Sequence, residues 1–174
     1  MERVNISFKE FNVNVFDLIN SGLLLTAGDF KSGSYNTMTI GWGSLGIMWG
    51  KPFIQVVVRP TRYTYGFMEK YGSFTVCALP LEKYRKELNF MGSRSGRDID
   101  KIKETGLTVI PSHVIDAPAF DESELVIECK KIYSDDFKPE KFMADYIAKC
   151  YNNDYHRSYF GEVVSIEGIK KYCK

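Results

Sequence analysis

The stretch YNTMTIGWGSLGIMWGKPFIQVVVRP, Tyr35 to Pro60, decides how the chain folds. Asn36 to Trp42 alternates: Met38, Ile40 and Trp42 fall on one side, Thr37, Thr39 and Gly41 on the other. That is the two-residue period of a half-buried strand. FIQVVVRP is the clearest strand in the chain and stops at Pro60, which has no N–H to give to a ladder. The segment between them reads as a glycine-rich loop, and no βαβ unit surrounds it. From Tyr35 to Pro52 the chain holds both of its tryptophans, four glycines, two threonines and a serine, with no charge before Lys51. A core strand would carry more valine and leucine, and a surface loop more charge. The mixture suits backbone that lies against something flat with a polar edge.

Outward from this stretch the same punctuation recurs. NVNVFDLINSG reads as a short helix ended by Gly22, LLLTAG as a strand and DFKSGSY as the loop to the next strand. TRYTYGFMEKYG reads as a helix with Thr61 or Thr64 as its cap and Gly72 at its end. SFTVCAL is a strand, and LEKYRKELNFMG a helix with Tyr84, Leu88 and Met91 along one stripe. SRSGRDIDKIKETG is a turn that opens a short helix with Asp98 near its start; ELVIECKKIYSDDF is a long strand, and SYFGEVVSIEGIKKY supplies one or two more. Six or seven strands with three or four short helices, without regular βα alternation, predict a mainly β, antiparallel barrel.

The chain has 174 residues, 44% apolar and 26% charged, which suits one globular domain spanning residues 1–174. A net charge of +1, with no long run of one sign, argues against a dedicated nucleic-acid surface. Charges and asparagines interrupt the first 22 residues, so they read as neither a signal peptide nor a membrane anchor, and a cytoplasmic location is expected. Four cysteines far apart, no CxxC and two histidines argue against a metal site. Cys77 and Cys129 are expected to be buried strand residues, whereas Cys173 sits near a terminus.

Three further stretches can carry chemistry. In VRPTRYT a strand gives way to a helix start at threonines beside Arg59 and Arg62. Free helix N–H groups, hydroxyls and guanidinium groups make a seat for phosphate. The same pattern reads equally as a capped helix with two solvated arginines. GSRSGRDIDK clusters glycines, serines and cations around another helix start, and reads as a second anion contact, a lid or a flexible charged loop. In DYHRSYFGEV, His156 precedes a strand and can bond a ligand, assist proton or hydride movement, or be structural; His113 is assigned no role. GxSxG, P-loop and HExxH patterns are absent, the closely spaced glycines of GWGSLG have no βαβ unit around them and so do not read as a doubly wound dinucleotide site, and no residue is a convincing nucleophile. Rings, hydroxyls and a phosphate seat without an acid–base pair point to a bound cofactor as the reactive group.

NTMTIGWGSLGIMWGKP, RPTRYTYGFMEKYGSFTV, SGRDIDK and DYHRSYFGEV, in this order, resemble the flavin reductase-like family, on its flavoredoxin-like side, from about Phe16 to Ile166. The resemblance implies an FMN-binding, Greek-key-like split β-barrel with a few short peripheral helices, working as a homodimer with flavin near the subunit interface. It implies flavin contacts at Asn36, Thr37, Met38, Thr39 and Trp42, and phosphate-side contacts at Thr64 with Arg59, Thr61 and Arg62 nearby. Ser95, Gly96, Arg97, Asp98 and Lys101 match a further block, with Lys101 toward the phosphate or a nicotinamide, and His156 matches a late histidine. Gly33, Ser34 and Tyr35 stand where family members often have a shorter entry to the Asn-Thr-Met block. The implied activity is hydride transfer from NADH or NADPH to flavin, with rings stacked at roughly 3–3.5 Å. The alternatives are a flavoredoxin-like electron carrier without its own NAD(P)H activity, and a split barrel that has lost flavin or binds haem or pyridoxal phosphate instead. Trp49 reads as packing or dimer interface.

Overall fold

A computed structural model describes residues 2–174. In chain order its elements begin with β1 (Val4–Asn5), α1 (Val15–Asn20), β2 (Leu23–Asp29), β3 (Ser34–Ile40), β4 (Gly43–Met48) and β5 (Lys51–Val58). They continue with α2 (Tyr63–Lys70), β6 (Ser73–Ala78), α3 (Leu81–Ser93), α4 (Lys101–Thr105), β7 (Val109–Ile110) and β8 (Ala119–Phe120). The last are β9 (Leu125–Asp136), α5 (Asp145–Ala148) and β10 (Arg157–Gly168). One antiparallel sheet runs β3-β2-β6-β9-β10-β5-β4, with β1 pairing the far end of β10, and β7 and β8 form a separate ribbon. The chain is mainly β and antiparallel with a few short helices, as expected.

The ten strands exceed the expected six or seven because β1, β7 and β8 are two-residue strands and because GSLGIM is a strand and not a loop. Its pairing with β5, from Gly43 opposite Val56 to Met48 opposite Lys51, makes it one. Hydrogen bonding to a neighbour defines it, so hydrophobic periodicity gave no sign of it. Gly43 is required there: a Cβ would stand 2.4 Å from the Gln55 carbonyl oxygen. Trp49 and Gly50, at φ 52° and 72°, make the tight turn between the two strands.

β2 explains why a run of apolar residues can be one strand. Leu23, Leu25 and Ala27 face a core built with Ile54, Val56, Phe74 and Tyr159, while Leu24 faces the opposite cluster of Cys77, Leu88, Met91 and Phe120. Both faces are covered, so alternation is lost. Cys77 and Cys129 are fully buried, on opposite sides of the sheet. Leu88 and Met91 place the stripe of α3 on the second cluster with Tyr84 beside them. β3 sends Met38 and Ile40 into the first core, but Trp42 lies beyond the strand and is half exposed, not beside them as its spacing suggested.

Two helix boundaries differ from expectation. The residue before α2 is Arg62, and no side chain caps the helix; Thr64 is its second residue and Tyr71, not Gly72, closes it. Asp100, not Asp98, caps α4 by accepting from the Lys103 amide at 3.1 Å. β10 is one strand, interrupted by irregular register at Phe160/Gly161 and Val163/Ser165. A Cβ on Gly161 would lie 2.5 Å from the Phe74 ring and 2.7 Å from Cys129 Cβ. Gly161→Ala is therefore expected to cost about 1–3 kcal/mol by overpacking, read as a lower urea midpoint at unchanged slope. An unchanged midpoint would mean that the ring and strand move aside freely.

Candidate functional site

The site assembles where β3 starts, α2 starts and the segment 92–101 crosses between them. β3 is an end strand of the sheet, so alternate N–H and C=O groups along it face away from β2. The Thr37 carbonyl is bound by Lys101 Nζ at 2.6 Å, and the same ammonium reaches the Met91 carbonyl at 2.9 Å. Asn36 Nδ2 donates to Thr64 Oγ1 at 2.7 Å, which joins β3 to the first turn of α2. Arg97 donates to the Thr61 carbonyl at 3.2 Å and lies over the Tyr63 ring at 5.4 Å. Gly96 packs so tightly here that a Cβ would come within 2.3 Å of Asn36 Oδ1.

These contacts frame a cleft of about 660 Å³ walled by Asn36, Thr37, Tyr63, Gly96, Arg97 and Lys101. A recess of about 110 Å³ shares several of those walls and adds Met38, Thr61, Arg62, Thr64, Arg94 and Ser95. Arg62, Arg94, Arg97 and Lys101 line the recess with no carboxylate among its walls. No side chain caps the first turn of α2; the Tyr65 amide donates to the Arg62 carbonyl at 3.0 Å, and Tyr63 and Thr64 at the helix start line the recess. Burial, with Arg62 adding its charge, lowers the Lys101 pKa to about 8. The two carbonyls it bonds favour the ammonium form at neutral pH.

The remaining expected residues lie elsewhere. Thr39 donates its hydroxyl to the Leu88 carbonyl at 2.6 Å, so its side chain ties β3 to α3. Arg59 is drawn away from the phosphate-side corner: it pairs with Asp154 at 2.7 Å and donates to the Cys150 carbonyl at 2.8 Å. His156 is buried against Trp42, with ring centroids 5.0 Å apart, and Tyr151 OH meets His156 Nδ1 at 2.9 Å. Burial first, then Arg59 and Arg62, lower the His156 pKa to about 4. Arg62 thus acts electrostatically on both Lys101 and His156, the two expected reactive-side residues.

Sequence reasoning missed Arg94, Tyr63 and Tyr151. Arg94 was legible as a cation inside GSRSGRDIDK, but only the chain crossing places it in the recess. Tyr151 lies only five positions before His156 in the segment between β9 and β10, just outside the DYHRSYFGEV stretch, and was legible there only as one more ring. Among the described residues no group of His, Cys, Asp and Glu could hold a metal ion, and no helix is long and apolar enough to cross a membrane.

A mainly antiparallel sheet whose end strand and an uncapped helix enclose a cation-lined recess defines a class of ligand-binding β protein. Residues 17–171 match the flavin reductase like domain, and the chain belongs to that family. It is 28% identical over 103 residues to an uncharacterised protein of Pyrococcus abyssi, an alignment that takes in 59% of this chain. The chain spans 57% of the length of that curated relative. Its fold is similar to flavoredoxin of Desulfovibrio vulgaris (Miyazaki F), with TM-score 0.66 and 24% identity, covering 86% of this chain and 70% of the other. It is also similar to an FMN-binding domain of a flavin reductases-like enzyme from Shewanella baltica, with TM-score 0.69 and 18% identity over 96% of this chain and 77% of the other.

Proposed function

We propose that the chain is an FMN-binding flavoprotein and an NAD(P)H-dependent flavin oxidoreductase. The observation that carries this reading is the recess lined by four cations and no carboxylate, beside an uncapped helix start and continuous with the Asn36–Thr37 edge. Such a donor set fits a phosphate joined to a flat ring with a polar rim. Family membership and the FMN-binding structures of similar fold support the same choice of cofactor.

In this reading Arg62, Thr64 and Ser95, with the first amides of α2, hold the phosphate. Asn36 and the outward backbone groups of β3 meet the polar rim, and Lys101 keeps the Thr37 peptide in place. Trp42 and His156 pack against each other outside the walls of the cleft and the recess. When bound, FMN supplies the two-electron chemistry that this chain's side chains lack. The protein orients the rings and keeps water out, and no side chain has to act as a strong base. The same reading makes it a cytoplasmic homodimer; the exposed ring of Trp49, set against Tyr133 and Phe160, supports a subunit contact there, which sedimentation measures.

The test is anaerobic addition of NADH and of NADPH to the purified yellow protein. Bleaching of the flavin band by either one is the expected result. A band that survives both removes the reductase activity and leaves the electron-carrier role. Protein that purifies colourless and shows no affinity for added FMN overturns the reading as a whole.

A further inference from the structure

β9 and β10 are joined by an aromatic excursion, residues 137–156, closed at its base by the Phe137 amide donating to the His156 carbonyl at 2.9 Å. Arg59, at the end of β5, fastens this excursion. Its guanidinium binds Asp154 at 2.7 Å and the Cys150 carbonyl at 2.8 Å, and stands 5.1 Å from the centre of the Tyr151 ring between them. Phe142 stacks on the same ring with centroids 5.9 Å apart and planes within 12°. Tyr151 is thus held by a cation, a stacked ring and a two-point clasp on the turn that carries it. Its hydroxyl has one partner among the described residues, His156 Nδ1.

We propose that Tyr151 is a positioning residue that holds His156 as a neutral imidazole with its proton on Nε2, and that Arg59 is the clasp that keeps Tyr151 in place. A proton on Nδ1 would leave the Tyr151 O–H without an acceptor, which is costly in a half-buried setting. The Arg59 charge near the ring also makes the phenol a stronger donor. Tyr151 therefore donates, Nδ1 accepts, and the neutral ring carries its hydrogen on Nε2. The charged and titratable groups acting on the imidazole are Arg59, Arg62, Asp154 and Tyr151, and burial outweighs the one carboxylate. Below neutrality the ring therefore stays uncharged until about pH 4.

Nε2 has no hydrogen-bond partner among the described residues, and it is not one of the sealed, unpartnered atoms, which are Arg3 Nε, Glu87 Oε2 and Ser123 Oγ. The ring is buried but this atom is thus not fully sealed, and the half-exposed indole of Trp42 lies beside the ring with centroids 5.0 Å apart. A fixed, uncharged N–H donor at the rim of an exposed aromatic face suits a planar ring that bears a carbonyl or carboxamide oxygen. The tautomer lock stands on the protein's own groups; its use toward a bound ring rests on the flavoprotein reading.

The experiment is NMR of ring nitrogens in protein labelled with nitrogen-15 histidine. The chain has two histidines, so H113Q identifies the His156 signals. Wild type is expected to show a protonated Nε2 and an unprotonated, hydrogen-bonded Nδ1, unchanged as pH falls from about 7 toward 5. Tyr151→Phe keeps the stack and the cation contact and removes only the hydroxyl. It is expected to lose the single tautomer and show averaged signals. Arg59→Lys keeps the charge, loosens the clasp and is expected to move the signals the same way by less. A protonated Nδ1 in wild type overturns the proposal, as does a Tyr151→Phe spectrum identical to wild type. If Tyr151→Phe fails to fold, the wild-type tautomer and Arg59→Lys still decide. FMN titration of the same samples separates the two questions: a locked tautomer in protein that binds no FMN keeps the lock and removes its proposed use.

Discussion

Thr64→Glu is expected to empty the protein of FMN. Thr64 is buried in the first turn of α2, its hydroxyl bonded to Asn36, on a wall of the recess that holds Arg62, Arg94, Arg97 and Lys101. A carboxylate about 4 Å from the phosphate repels it by roughly 4 kcal/mol at an effective dielectric near 20. That is close to a thousandfold in affinity. The new carboxylate also satisfies the cations itself and occupies the place meant for the ligand. Flavin content after purification and FMN titration measure the effect, with thermal unfolding as the check on fold. Thr64→Val is the companion variant: it adds no charge to the recess and removes the hydroxyl that accepts from Asn36 and faces the phosphate. Its expected loss is about tenfold, in line with one hydrogen bond of 1–1.5 kcal/mol. Full flavin content in Thr64→Glu would place the phosphate somewhere else.

Acid is expected to weaken the fold through His156. The imidazole is buried, and its pKa in the folded protein is about 4, against about 6.5 in an unfolded chain. Between these values the unfolded chain binds the additional proton, so stability rises with pH across that window. The contribution is fully present above about pH 6.5, is lost as pH falls toward 4 and is gone below it. A gap of this size corresponds to on the order of 3 kcal/mol. Asp154, held below the usual range by the Asn152 amide and then by Arg59, and Asp136, held there by Arg157, are expected to weaken the fold at still lower pH. Comparison with His156→Gln isolates the histidine. Urea midpoints at about pH 7 and pH 4.5 should fall further in wild type than in the variant. Equal falls would show that the buried imidazole does not govern the acid limb.

Much of the fold was legible because it rests on short-range rules. The period of two in Asn36–Ile40, the apolar run before Pro60 and the long strand from Leu125 are read from neighbouring residues. The edge strand Gly43–Met48 was not, since an exposed, glycine-rich strand is defined by its partner and carries no hydrophobic signature. The helix cap failed for a related reason: Thr64 has the chemistry of a cap, yet its hydroxyl is spent on Asn36, 28 positions away.

The candidate site divides along the same line. By itself the sequence determined which residue types were available: Asn36, Thr64, the Ser95–Gly96 turn, Lys101 and the arginines, in segments that resemble one family. Only the tertiary structure decided which of them meet. It gathered Arg62, Arg94, Arg97 and Lys101 around one recess and turned Arg59 away to Asp154. The physical reason is range. Backbone conformation and burial pattern follow from residues a few positions apart. A cation's partner depends on groups that distant strands and loops bring within about 3 Å, and local sequence carries no record of that approach.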